Sequence, residues 1–112
     1  MKQTKYIKLK RNKITVGKCK LEINNKREAW LEEVLIYKKF RGLGYSKYLL
    51  RKAILLMKRM KILTIYLHVK HDNYIAIKSY KKIGFEITRK NYDKNKLFGY
   101  TMKLSLNKFV PF

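Results

Sequence analysis

Cysteine occurs once in this chain, at Cys19, and histidine only twice, so no internal disulfide can close and no zinc-ligand spacing is present. No metal site is expected. Proline occurs once and glycine five times, and there is no repeat, low-complexity tract or linker. Long apolar runs are missing too: the longest, Ala53 to Met57, is far too short to cross a bilayer, and the basic opening MKQTKYIKLKRNK contains no apolar h-region. These absences predict a cytoplasmic protein with no membrane partner. Acidic residues are the other scarcity, seven against 29 Lys and Arg for a formal charge of +22. Such a balance ordinarily points to nucleic acid or an anionic surface. Here, however, 23 Lys stand beside six Arg, spread from Lys2 to Lys108 without a dominant block. A coding bias that also enriches Ile, Asn and Tyr gives this profile, and a phosphate-reading surface would draw more on the planar fork of Arg. Nucleic acid is therefore not the expected partner.

What is present is enough for a core. Hydrophobic residues make up 46% of 112 positions, which predicts one domain spanning residues 1–112. Tyr6 to Lys10 and Ile14 to Ile23 alternate apolar and polar residues, the period of half-buried strands, with Arg11-Asn12-Lys13 as the turn between them. After the turn at Asn24-Asn25, Ala29 to Tyr37 reads as a third strand. From Ser46 to Met60 the period changes, with Leu49, Leu50, Ala53, Leu56, Met57 and Met60 on one helical face. Ile62 to Val69 is β-branched and aromatic, a buried strand. Asp72 or Asn73 caps a second helix, Tyr74 to Ile83, which Gly84 ends, and Phe85 to Tyr92 and Leu97 to Leu106 form an antiparallel pair across the Asp93 to Lys96 turn. The order strand, strand, strand, helix, strand, helix, strand, strand predicts a mixed α/β fold with one central sheet and two main helices.

Two of the five glycines sit together in FRGLGYSKYLL, residues 40–50. Glycine there permits positive φ and a close approach to the backbone, where the first-turn N–H groups of a helix face outward. An anion such as a pyrophosphate fits that description, and so does an ordinary strand-to-helix turn. No Gly-Lys-Ser/Thr follows, and a third glycine with a downstream acid is missing, which demotes nucleoside triphosphates and NAD. The second constellation is HVKHDNYIAIKSYKKIGFE, residues 68–86, in which Asn73, Ala76 and Tyr80 share one helix face about 10 Å long. Taken alone, that segment is better accounted for by a helix packed through Ala76, Ile77, Tyr80 and Ile83, with Asn73 as a simple N-cap.

Taken together and in this order, the two segments resemble the acetyl-CoA-binding signatures of the GNAT superfamily of N-acetyltransferases. Arg41 and Gly44 match its Arg/Gln-x-x-Gly-x-Gly/Ala, with Ser46 at the last position; Asn73, Ala76, Tyr80, Gly84 and Phe85 match its Asn-x-x-Ala-x-x-x-Tyr followed by Gly-Phe. The resemblance implies that the Arg41, Gly42, Leu43, Gly44, Tyr45 and Ser46 loop holds the cofactor's pyrophosphate. It further implies that the pantetheine arm lies between splayed strands at Val34 to Ile36 and Leu67 to Val69, that Asn73 contacts this arm and that Tyr80 protonates the departing thiolate. Acetyl-CoA would be the co-substrate and a primary amine, of a peptide or protein, the acceptor. A phenol with pKa near 10 suits protonation of a thiolate, and His68, Glu32 and Glu33 are the candidates for the base. A bulge in the third strand would decide which glutamate faces the cleft. Members of the superfamily carry a strand and two helices ahead of the strands seen here, and those helices wall the acceptor site. Their place here is taken by two strands, so the acceptor side is expected to be open or walled by a second copy in a homodimer. A non-catalytic acyl-CoA-binding module and a basic nucleic-acid-binding protein are the alternative classes.

Overall fold

The structure is a computed structural model that describes residues 2–108. Six strands form one sheet in the order β1-β2-β3-β4-β6-β5, with β1 (Gln3–Arg11), β2 (Ile14–Ile23), β3 (Glu28–Ile36), β4 (Thr64–Lys70), β5 (Glu86–Asp93) and β6 (Lys96–Ser105). Helix α1 (Tyr45–Arg59) joins β3 to β4, and α2 (Tyr74–Ile83) joins β4 to β5. The predicted element order holds, and α2 matches residue for residue. The β1 strand is longer at both ends than Tyr6 to Lys10: Gln3 to Lys5 pair with Leu21 to Ile23 of β2, and Arg11 joins because the hairpin needs only two loop residues. Asn12 and Lys13 both take positive φ, 50° and 67°, the twist a two-residue hairpin requires, and Lys94 and Asn95 repeat it between β5 and β6.

Only β3 and β4 run parallel; all other neighbours are antiparallel. Alternation sends Ile7, Cys19, Leu21, Ile23, Leu31, Ile65, Leu67 and Met102 into one buried core with Leu49, Leu50, Ala53, Ile54 and Met57 of α1 and Ile77 of α2. Both helices thus cover this face, as their residues in the core show. The other face presents Lys20, Glu22, Trp30, Glu32, Tyr66 and His68, and among the described residues no helix lies over it. Each helix ends with a named device. The Asn73 side chain accepts from the Ala76 amide at 3.3 Å to start α2, and Gly84, at φ 124°, ends it with the Phe85 amide donating back to the Tyr80 carbonyl at 3.0 Å. Lys61 serves α1 in the same way at φ 65°, as the Ile62 amide donates to the Met57 carbonyl at 3.0 Å. No helix among the described residues is long and apolar enough to cross a membrane.

The feature that positions the site is the parting of β3 and β4. Their pairing runs only from Glu28 opposite Thr64 to Leu31 opposite Leu67, although β3 continues to Ile36 and β4 to Lys70. A bulge is the local cause. Lys20 of β2 faces Glu32 whereas Lys18 faces Leu35, so Cys19 alone stands opposite Glu33 and Val34, and Glu33 takes φ 50°. The strand bends there and stays with β2, leaving β4 behind. Gly17 accommodates the bent end: a Cβ on it would lie 2.6 Å from Ile36 Cδ1 and 2.8 Å from the Leu35 carbonyl oxygen. Gly17→Ala is therefore expected to cost about 1–3 kcal/mol, as over-packing does, read as a lower midpoint in thermal or urea unfolding. An unchanged midpoint would mean that the bend does not depend on this contact.

Candidate active site

The gap between the parted strands opens on the helix side into a cleft of about 540 Å³, lined among others by Glu32, Val34, His68, Val69, Asn73 and Tyr80. A second hollow of about 260 Å³ continues it towards α1, sharing Val34, Asn73 and Tyr80 and adding Ile36, Ser46 and Ala76. Together they form a groove from the middle of the sheet to the start of α1. On the bare face lies a third hollow, about 480 Å³, with Trp30, Lys20, Glu22, Glu32 and His68 in its wall. Glu32 and His68 line both the bare-face hollow and the helix-side cleft. They are the two residues that the walls of these hollows share, and both stand just past the last β3–β4 pair, Leu31 opposite Leu67.

At the α1 end of the groove, Gly42 and Gly44 take φ 78° and 82°, a region side chains disfavour. A Cβ at either would meet nothing within 4 Å, so their backbones face open space. Gly44 is the N-cap of α1 without a side-chain cap, and no acidic residue stands in the first turn to offset the positive end of the helix dipole. Arg41 turns inward, its Nε donating to the Ile36 carbonyl at 2.8 Å, so it ties the loop back to the end of β3. Leu43 is 63% exposed, and Tyr45 meets Phe40 edge-on at 6.3 Å. The loop's offering to an anion is thus its backbone.

Tyr80, half-buried, packs edge-on against Phe85 at 5.7 Å between ring centroids. Burial, seconded by Cys19, pushes its phenol above the ordinary tyrosine value, so it keeps its proton throughout the neutral range. Cys19 itself is 1% exposed, and burial raises its thiol to about 11, which holds it inert as a nucleophile. Glu33, on the bulge, has a side chain 71% exposed and lies 3.9 Å from Lys20 Nζ, as does Glu32; Glu22 is nearer, at 3.3 Å. Lys20 is held protonated above its usual value, chiefly by the hydrogen bond to Glu22.

His68 is fixed by neighbours that sequence reasoning did not single out. Its ring stacks on Trp30 at 4.7 Å, and Trp30 stacks in turn on Tyr66 at 5.1 Å. Its Nδ1 lies 3.2 Å from Thr101 Oγ1, which also accepts from Asn91 Nδ2 at 3.1 Å. Thr101 is 7% exposed and is directly opposite His68 in the β4–β6 ladder. The only signal in the sequence was a Thr set among the apolar alternation of the last strand.

A sequence model of the Acetyltransferase (GNAT) family matches residues 3–85. The chain belongs to the GNAT acetyltransferase family. Among solved structures the fold is similar to the ribosomal-protein-S18-alanine N-acetyltransferase of Escherichia coli, with a TM-score of 0.81 and 20% identity over 92% of this chain and 69% of that one. It is likewise similar to the spermidine N-acetyltransferase of Vibrio cholerae in complex with CoA and spermine, at 0.81 and 23% over 94% and 67%. A third is the PaiA N-acetyltransferase of Thermoplasma acidophilum in complex with coenzyme A, at 0.76 and 22% over 91% and 60%. No curated protein matches the sequence. The chain thus spans 60–69% of the length of these three structures.

As a member of this GNAT family the chain uses acetyl-CoA, and the groove suits it. The uncapped α1 start and the two positive-φ glycines offer amides for a diphosphate, and the apolar walls at Val34, Ile36 and Ala76 suit an extended arm.

Proposed function

We propose that this chain transfers the acetyl group of acetyl-CoA to a primary amine of a peptide or protein, with the amine arriving from the bare face of the sheet. The observation that carries this reading is that Glu32 and His68, where β3 and β4 part, stand in the walls of both the bare-face hollow and the helix-side cleft. Bound in the groove, acetyl-CoA supplies an activated thioester. The amides from Gly42 to Ser46 hold the diphosphate end, and Ile36 and Asn73 line the path of the arm. Glu32, rather than the exposed Glu33, draws the acceptor's ammonium to the gap, since Glu32 alone of the two lines both hollows. In this account His68 takes the tautomer whose Nδ1–H donates a hydrogen bond to Thr101 Oγ1, 3.2 Å away and also accepting from the Asn91 amide, so that Nε2 is free to receive the acceptor's proton. Tyr80 gives its phenolic proton to the leaving sulfur. Within this account the chain is one cytoplasmic catalytic domain.

The acceptor class is tested by following free-thiol release from acetyl-CoA with amines, peptides and protein N-termini. Turnover with a peptide or protein amine is the expected result; turnover confined to small polyamines would replace the acceptor class, and CoA binding without turnover of any amine would favour an idle acyl-CoA module. Thr101→Val should lower kcat about tenfold with acetyl-CoA affinity unchanged, and Thr101→Ser should restore it, because only the hydroxyl fixes the ring nitrogen. Equal rates in the valine and serine variants would remove His68 Nε2 from the mechanism.

We further propose that two copies meet on the bare face, where each would cover the other's Trp30 and Tyr66 and wall the acceptor hollow. Sedimentation equilibrium near physiological ionic strength should then give twice the 13.6 kDa chain mass. A single 13.6 kDa species over a wide concentration range would overturn the dimer.

A further inference from the structure

Tyr45 and Ser46 open α1, yet they stand in the walls of different hollows. Ser46 lines the groove on the α2 side, together with the apolar wall of Val34, Ile36 and Ala76 that suits the cofactor's arm. Tyr45 lines a separate recess of about 210 Å³ on the β1 side, completed by Leu9, Lys10, Arg11 and Tyr48. The glycine loop thus ends between two recesses, and the arm accounts for only one.

Strand register brings Arg11 to the second. Ile7 is in the core and Leu9 packs against it, so Arg11, two residues further, lies on the same helix-covered face of β1. The bulge nearby does not disturb this alternation, because it falls on β2: Leu9 is opposite Gly17 and Lys10 opposite Thr15, with Val16 as the extra residue. The Arg11 guanidinium accordingly lies over the Tyr45 ring at 5.8 Å, and Phe40 meets that ring edge-on. The hairpin is tied to this spot, as the Tyr37 amide at the end of β3 donates to the Val16 carbonyl at 2.9 Å. Tyr48, one turn along α1, is 53% exposed, and no carboxylate stands in the wall.

A recess walled mostly by rings and hydrocarbon, with a guanidinium at its edge, suits a flat heteroaromatic base that carries a phosphate: the base stacks, and the planar fork pairs with the phosphate. Coenzyme A has such a group. Its diphosphate joins the pantetheine arm at one end to an adenosine 3′-phosphate at the other, so a diphosphate held at the start of α1 can send the two ends to opposite sides of the helix. We propose that the recess between the β1–β2 hairpin and α1 binds the adenosine 3′-phosphate end of acetyl-CoA, with Arg11 on the 3′-phosphate and Tyr48 stacked on the adenine. Tyr45, beneath the guanidinium, positions it by a cation–π contact. The proposal rests on the reading that the amides from Gly42 to Ser46 hold the diphosphate.

Calorimetry of the full chain with CoA and with 3′-dephospho-CoA tests it. The wild type should bind CoA about tenfold more tightly than the dephospho form, the strength of a charge-assisted phosphate contact. Arg11→Gln should abolish that preference and leave dephospho-CoA affinity unchanged, which also shows that the variant folds. Lys90→Gln, the same charge change on β5, should keep the preference. Tyr48→Ser should weaken both ligands on the order of tenfold, while Tyr48→Phe, which keeps the π face, should weaken neither. Equal affinity of the wild type for the two ligands, a preference that survives Arg11→Gln or is lost equally in Lys90→Gln, or full affinity in Tyr48→Ser would each overturn the proposal. Gly44→Val separates it from the reading beneath: weakened binding of both ligands keeps the diphosphate at the loop even if the Arg11 result fails, whereas unchanged affinity moves the diphosphate elsewhere and overturns both.

Discussion

Replacing Tyr80 with phenylalanine is expected to lower kcat by roughly 10 to 1,000-fold while leaving CoA affinity nearly intact. The ring stays, so its edge-on contact with Phe85 and the packing under α2 stay with it. Only the hydroxyl goes. In the proposed mechanism that hydroxyl meets charge on the sulfur as it develops, so its loss is felt in the transition state and scarcely in binding. Because burial raises the phenol above its usual value, the acid form persists as pH rises, and Tyr80 should contribute no alkaline limb to the rate in the neutral range. Stopped assays for thiol release beside calorimetry of CoA binding separate the two quantities. Full turnover in the variant would return Tyr80 to a packing role.

Gly44→Val is expected to weaken acetyl-CoA binding by about 10 to 100-fold in a chain that still folds. The two expectations follow from the same geometry. With nothing within 4 Å of the added Cβ, the substitution starts from open space and away from the core. At φ 82°, however, a β-branched residue is strained, and relief comes by turning the peptide planes that present the first amides of α1. Calorimetry reads the loss, and circular dichroism the retained fold. Unchanged CoA affinity in a folded variant would show that the diphosphate is held elsewhere.

How much of this was legible beforehand differs by element. Alternation in β2 and the apolar stripe of α1 announced themselves, because burial on one face writes a period into the sequence. Gly84 marked the end of α2 by residue type alone, and of the two caps its start offered, Asp72 or Asn73, Asn73 is the one that accepts from the Ala76 amide. Lys61, which ends α1, did not, since lysine at positive φ is a demand of the surrounding chain that composition does not reveal. The Ile62 to Val69 strand reads as wholly buried yet alternates, and His68 and Lys70 come out exposed because one face of this sheet carries no helix. At the site, the loop glycines and the Asn73 and Tyr80 pair were readable as local spacing. The choice between Glu32 and Glu33 was not, since it turns on a one-residue bulge set by pairing with β2. Thr101, Asn91 and Trp30 reach His68 only through cross-strand neighbours far along the chain, which no local pattern encodes.

The central claim is that the acceptor amine reaches the thioester through the gap between β3 and β4. The most direct test is initial-rate thiol release by the double variant Glu32→Gln, His68→Gln, with CoA affinity measured alongside by calorimetry. Both residues flank the gap, and neither lines the α1 end of the groove. Turnover is therefore predicted to fall to the uncatalysed background while CoA binds as tightly as before. Wild-type turnover in that variant would contradict the account.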